Sequence, residues 1–139
     1  MSAEENKALL RRFVDEVVNQ HSVDVLDQIV AEDFRTTFAP APGREVFKQA
    51  MAALFQGFPD VQSNIDELIA EGDKVSSLGR WTGTHQGDFQ GIPPTGTQVE
   101  VSYIDIWRVQ DGQFVENWVQ MDILGLLQQL GVIPAQGQQ

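Results

Sequence analysis

Gln98 to Asp122 reads QVEVSYIDIWRVQDGQFVENWVQMD, and its period decides the fold. Strand alternation places Val99, Val101, Tyr103, Asp105, Trp107 and Val109 on one face, and Asp105 is the only member that is neither apolar nor aromatic. Asp111-Gly112 has the composition of a two-residue type I′ hairpin turn. Such a turn sets Val109 opposite Phe114, Trp107 opposite Glu116, Asp105 opposite Trp118, Tyr103 opposite Gln120 and Val101 opposite Asp122. One face then gathers Tyr103, Asp105, Trp107, Trp118, Gln120 and Asp122, with the two aspartates roughly 13 Å apart along the sheet. A turn with a bulge is the alternative, and it turns one strand's side chains over.

On the N-terminal side of this hairpin the period changes from strand to helix. Leu9, Leu10, Phe13, Val14, Val17 and Val18 recur at three- and four-residue spacing, predicting an amphipathic helix over Glu4 to Asn19. Ser22 reads as the N-cap of a short second helix through Val25, Leu26, Ile29 and Val30, and Phe34 to Phe38 as a brief strand. Arg44 to Phe55 predicts a third helix, stopped by Gly57 and Pro59. Strands follow over Gln62 to Ala70 and Lys74 to Thr84, then over Gln98 to Val109 and Phe114 to Met121. They are separated by Gly72-Asp73, a Gly/Pro-rich loop from His85 to Gly96, and Asp111-Gly112. A last helix, Ile123 to Leu130, ends at Gly131. Helices first and a strand meander after them predict an α+β fold, a single domain over residues 1–139 with a frayed tail from 134 to 139.

The 139 residues suffice for one core and one site. A net charge of −11 repels phosphate backbones and anionic lipid surfaces, so neither nucleic acid nor a membrane is an expected partner. The absence of cysteine removes disulfides, thiolate metal sites and a cysteine nucleophile. Together with an N-terminus that lacks a secretory pattern, it predicts a cytoplasmic location.

Two aspartates carry the chemical interest. A carboxyl group in an apolar setting has its charged form disfavoured, its pKa rises, and it can exchange protons near neutrality. Asp122 has a second reading as the N-cap of the last helix, and Asp105 as a core carboxylate bonded to a backbone amide or to the Trp118 indole. Arg80 and Arg108 lie in strands, where they either pair with these acids or sit in solvent. His21 reads as a surface loop residue, and His85 either tips into a pocket mouth or shapes the long loop. Neither histidine has a second ligand at metal-binding spacing, and the loop glycines form no phosphate-binding pattern; no metal or cofactor is expected. Trp81, Trp107 and Trp118 are core residues or pocket wall.

The series Trp81-Thr-Gly-Thr-His-Gln-Gly-Asp-Phe89, Gly91-Ile-Pro-Pro-Thr-Gly96, Asp105-Ile-Trp-Arg108, Asp111-Gly112, Glu116, Trp118 and Asp122 with Leu124 to Gly131 resembles the SnoaL-like polyketide cyclases of the nuclear transport factor 2-like superfamily. Ala31 to Phe34, Phe58 to Asp60 and Glu67 to Asp73 extend the similarity over nearly the whole chain. The resemblance implies a cone of helices on a curved, mostly antiparallel sheet that encloses a pocket, and a homodimer formed through the sheet. It also implies an Asp before the terminal helix, here Asp122, acting as acid/base in a cofactor-free aldol ring closure. At two positions where relatives often carry His this chain has Asn117 and Thr37.

The expected function is therefore acid/base catalysis on a small apolar carbonyl compound, of polyketide or ester cyclase type. Asp122 would move the proton, Asp105 and Tyr103 would polarise or orient the substrate, and Trp107, Trp118, Gln120 and His85 would complete the pocket. The alternatives are a non-catalytic, dimeric small-molecule-binding module, and epoxide hydrolase-like water addition by Asp105 and Asp122 with Arg80 or Arg108.

Overall fold

The computed structural model describes residues 2–134; the tail expected to fray, apart from Pro134, lies outside them. Helix α1 (Ala3–Arg12) starts from a capping box, in which the Ser2 hydroxyl accepts from Glu5 N–H and the Glu5 carboxylate accepts from Ser2 N–H. It continues into a π-helical turn, Phe13–Val18, whose wider winding brings Phe13, Val14, Val17 and Val18 all into the core. A 3₁₀ turn, Val23–Val25, leads into α2 (Leu26–Ile29). The cap expected at Ser22 is not made by its side chain, because the chain enters through a 3₁₀ turn that its backbone carbonyl closes onto Val25 N–H. Strand β1 (Val30–Thr36) begins four residues earlier than the expected Phe34, directly from α2, and α3 spans Arg44–Gly57.

Four long strands follow: β2 (Gln62–Glu71), β3 (Lys74–Thr84), β4 (Gln98–Gln110) and β5 (Gln113–Met121), before α4 (Ile123–Gln129). The sheet order is β1-β5-β4-β3-β2, antiparallel except for the β1–β5 pair. On β4 the alternation is complete: all six residues of the expected inner face are buried. They pack on the π turn, α3 and β1 through an aromatic cluster, in which the Trp107 ring centroid lies 4.7 Å from Phe13, 6.4 Å from Phe47, 6.0 Å from Phe34 and 4.3 Å from Phe114 of β5.

The expected β4–β5 register is corrected by a bulge. Asp111 and Gly112 both have positive φ, 52° and 78°, as a type I′ turn requires, and Val109 does pair with Phe114. Arg108, however, pairs with Glu116, so Val115 is the extra residue and every later side chain of β5 is turned over. Asp105 therefore faces Val119 and Trp107 faces Asn117, while Trp118 and Gln120 lie beside Ile106 and Ile104 on the outer face. A second register shift, between Ile65 and Glu67, bends β2. No helix among the described residues is long and apolar enough to cross a membrane.

Candidate active site

Between the helices and the inner face of the sheet lies a half-open cavity of about 70 Å³. Its wall is overwhelmingly apolar, built from Phe13, Val14 and Val18 of the π turn, Phe47, Met51 and Leu54 of α3, and Trp81, Trp107, Val119 and Met121 of the sheet. Four polar side chains interrupt it: Ser63, Tyr103, Asp105 and Asn117. Among the described residues no Lys, Arg or His side chain stands on the wall, so they offer no cation to an anionic substrate.

Asp105 is the centre of the polar group. It is buried, and its Oδ1 accepts from Ser77 N–H at 2.9 Å and from the Ser77 hydroxyl at 2.7 Å. Ser77 faces inward opposite Asp105 in the β3–β4 ladder. Burial raises the Asp105 pKa above the usual aspartate range, and the Ser77 bonds and the nearby Trp107 indole offset that rise only in part. The Trp107 Nε1–H is itself fully buried and completes no hydrogen bond of good geometry. Oδ2 accepts no bond from any described side chain or amide, and the carboxyl borders the cavity.

Tyr103, two residues earlier on the same face, shares a 2.7 Å hydrogen bond with the Ser63 hydroxyl, and burial raises its phenol pKa. Ser63 is held by Asn19, whose side chain accepts from Ser63 N–H at 2.6 Å and donates to Ser63 O at 3.1 Å. The C-terminal end of the π turn thus locks the β2 residue that orients the phenol. Asn117 is buried opposite Trp107 and bonded to Thr36 of β1. Gly79, opposite Tyr103, leaves the space its ring requires, since a Cβ there would lie 2.5 Å from the Tyr103 hydroxyl.

Of the residues singled out in the sequence, the structure brings Tyr103, Asp105 and Trp107 together on the cavity wall. Trp118, 40% exposed, and Gln120 lie on the far side of the sheet because of the Val115 bulge. Asp122 is exposed and off the wall; its Oδ1 accepts from Gly125 N–H at 2.9 Å, capping α4. His85 is fully buried but away from the cavity, stacked on Phe58 at 5.3 Å, with its Nδ1 accepting from Thr95 N–H. The chain after β3 folds back onto the end of α3, where Gln86 and Gly87 N–H donate to Gly57 O, and this draws the ring into the aromatic cluster. Arg80 pairs with Asp66 and Glu100, and Arg108 with Glu116, on the outer face, so neither converges with Asp105 as epoxide opening would require. Among the described residues, no cluster of three or more His, Cys, Asp or Glu is placed to hold a metal ion.

Sequence reading missed Ser63, Ser77 and Asn117 as site residues. The strand alternation Val75, Ser77, Gly79, Trp81 contained the signal for Ser77, and the resemblance marked position 117 as one where relatives often carry His, but only the bulge shows that Asn117 faces inward.

Solved structures with this architecture include TsrD of Streptomyces laurentii, with 30% identity, TM-score 0.88 and coverage of 96% of this chain and 99% of that one. A SnoaL-like protein of Jannaschia sp. CCS1 matches at 28% identity and TM-score 0.87, over 95% of each chain. IdmH of Streptomyces antibioticus, a candidate polyketide cyclase, matches at 26% identity and TM-score 0.78, over 89% of this chain and 96% of its own. No curated protein sequence matches. The model of the SnoaL-like polyketide cyclases matches residues 8–130. With that match over most of its length, and with a nuclear transport factor 2-like fold shared with these structures, the chain belongs to the SnoaL-like polyketide cyclase family.

Proposed function

We propose that this protein catalyses cofactor-free proton transfer next to the carbonyl of a small, neutral, largely apolar compound, with Asp105 rather than Asp122 as the acid/base. The observation that carries this reading is the buried Asp105 carboxyl, raised in pKa, with Oδ1 anchored by Ser77 and the group bordering an apolar cavity. A general base works best when its pKa lies near the operating pH, and burial moves an aspartate in that direction. In the proposed cycle the Asp105 carboxylate takes a proton from the carbon beside a carbonyl, leaving an enolate. The enolate carbon attacks a second carbonyl of the same molecule, forming the ring C–C bond, and the resulting alkoxide takes the proton back from Asp105. Tyr103, its hydroxyl fixed by Ser63, orients a substrate oxygen.

The cavity volume of about 70 Å³ is well below the roughly 300–1,000 Å³ of a drug-sized site, which favours a one-ring compound or insertion of only the reacting end of a larger one. A wall without a cationic side chain among the described residues favours esters and ketones over free acids.

The test is deuterium uptake from D₂O into a panel of small ketones, esters and 1,3-dicarbonyl compounds, followed by proton NMR. Wild-type protein should catalyse exchange, and Asp105→Asn should reduce the rate by about 10²–10⁴-fold, the usual contribution of a positioned base. Ligands bound without exchange would instead identify a small-molecule carrier.

We also propose that the outer sheet face pairs two copies of the chain. Leu78, Ile104, Ile106 and Trp118 form adjoining exposed apolar positions across β3, β4 and β5, a continuous patch that single solvated side chains would not need.

A further inference from the structure

Asn117 is more constrained than packing alone requires. Thr36 Oγ1 accepts from Phe38 N–H at 3.0 Å, so its own proton is free to go to Asn117 Oδ1, 2.6 Å away. The amide nitrogen faces Ile106 O at 3.4 Å, an acceptor that only an N–H can satisfy. The two contacts together fix which end of the amide is oxygen and which is nitrogen. One hydrogen of Nδ2 is thereby loosely held by Ile106 O, and the other has no acceptor among the described residues on a side chain that borders the cavity. In the ladder Asp105 pairs with Val119 and Trp107 with Asn117. Asp105 and Asn117 are therefore diagonal neighbours on one face, with backbones about 7–8 Å apart. Both side chains border the same cavity.

We propose that Asn117 is the hydrogen-bond donor that holds the substrate carbonyl oxygen, and that Thr36 is the positioning residue that keeps its amide turned nitrogen-first toward the cavity. The assignment rests on the reading of Asp105 as the base: the carbon acid faces Asp105 while charge develops on the oxygen held by Asn117. A fixed neutral amide stabilises that oxygen without ionising, so the pH dependence of proton abstraction reports Asp105 and not the donor.

The experiment uses acetophenone carrying ¹³C at the carbonyl, bound to the full chain, and reads the carbonyl stretch by isotope-edited infrared difference spectroscopy together with deuterium uptake into its methyl group. Wild-type protein should show a single band at lower frequency than the ketone in hexane, unchanged across the Asp105 titration. Asn117→Ala should return the band to the hexane position and slow exchange by about 10²–10³-fold, as loss of one oxyanion donor does. Thr36→Val should split or broaden the band as the amide turns over, and Thr36→Ser, which restores the hydroxyl, should recover it. An unshifted band in Asn117→Ala overturns the proposal, as does a wild-type band already at the hexane position. Exchange unaffected by Asp105→Asn overturns the reading beneath it, whatever Asn117 does, and a wild-type chain that does not bind the ketone overturns both.

Discussion

At the scale of single residues, two aspartates with the same side chain have opposite fates. Asp122 stands exposed at the start of α4 and spends its carboxylate on Gly125 N–H, so Asp122→Ala should cost about 1 kcal/mol and Asp122→Asn only a few tenths, by urea denaturation. Neither change should alter the exchange rate. Asp105 is the titrating group. Its folded pKa is raised by burial, so the folded chain binds this proton more tightly than the unfolded chain. Its contribution to stability is then complete below the unfolded value and is lost as pH climbs through the folded value. Asp105→Asn should match wild type in melting temperature below the ordinary aspartate range and exceed it at neutral and alkaline pH, measured by scanning calorimetry. The interest of Asp105 was legible from alternation alone, because one acid interrupts an apolar face. The fate of Asp122 was not, since a residue ending a strand and starting a helix fits a cap and a site equally well.

At the scale of elements, the hairpin β4–β5 shows where local rules stop. Asp111-Gly112 adopts the expected turn, yet Val115 adds a residue that no turn rule contains, and this exchanges Trp118 and Gln120 for Asn117 and Val119 on the inner face. The bulge fits the sheet's other pairing, because β1 meets β5 at Val30–Phe114 and again at Arg35–Glu116, with its own irregularity between them. Strand β3 contributes a void as much as a wall. A Cβ at Gly79 would fall 2.5 Å from the Tyr103 hydroxyl and 2.6 Å from Asn64 O, and the backbone oxygen cannot yield. Gly79→Ala should therefore expel Tyr103 and cost about 1–3 kcal/mol, as overpacking does. Tyr103 is the only tyrosine, so its ionisation can be followed by ultraviolet absorbance. Its raised pKa should fall back toward about 10 in this variant.

At the scale of the whole molecule, the sheet has two faces with different tasks. The inner face holds the core and the cavity; the outer one carries ion pairs at Arg80 and Arg108 around an apolar patch centred on Ile104, 56% exposed, and Ile106. If that patch joins two copies, Ile104→Glu should convert the wild-type dimer to monomer in sedimentation velocity while leaving the cavity, on the opposite face, able to bind acetophenone. A like charge at the centre of a symmetric interface meets its own copy, which makes the substitution more disruptive there than on a free surface.

What the sequence by itself determined was whatever depends on near neighbours along the chain or on composition: the helical period through Val18, the six-residue inner face of β4, the turn at Asp111-Gly112, the net charge of −11, and an ordered motif series specific enough to name the family. What only the tertiary structure decided was which face each later residue of β5 shows, where His85 goes, and which aspartate reaches the cavity. Those outcomes depend on one inserted residue in a ladder and on contacts between segments far apart in sequence. A period of two reverses its meaning with a slip of one, and a carboxyl group acquires its chemistry from the water that packing removes around it.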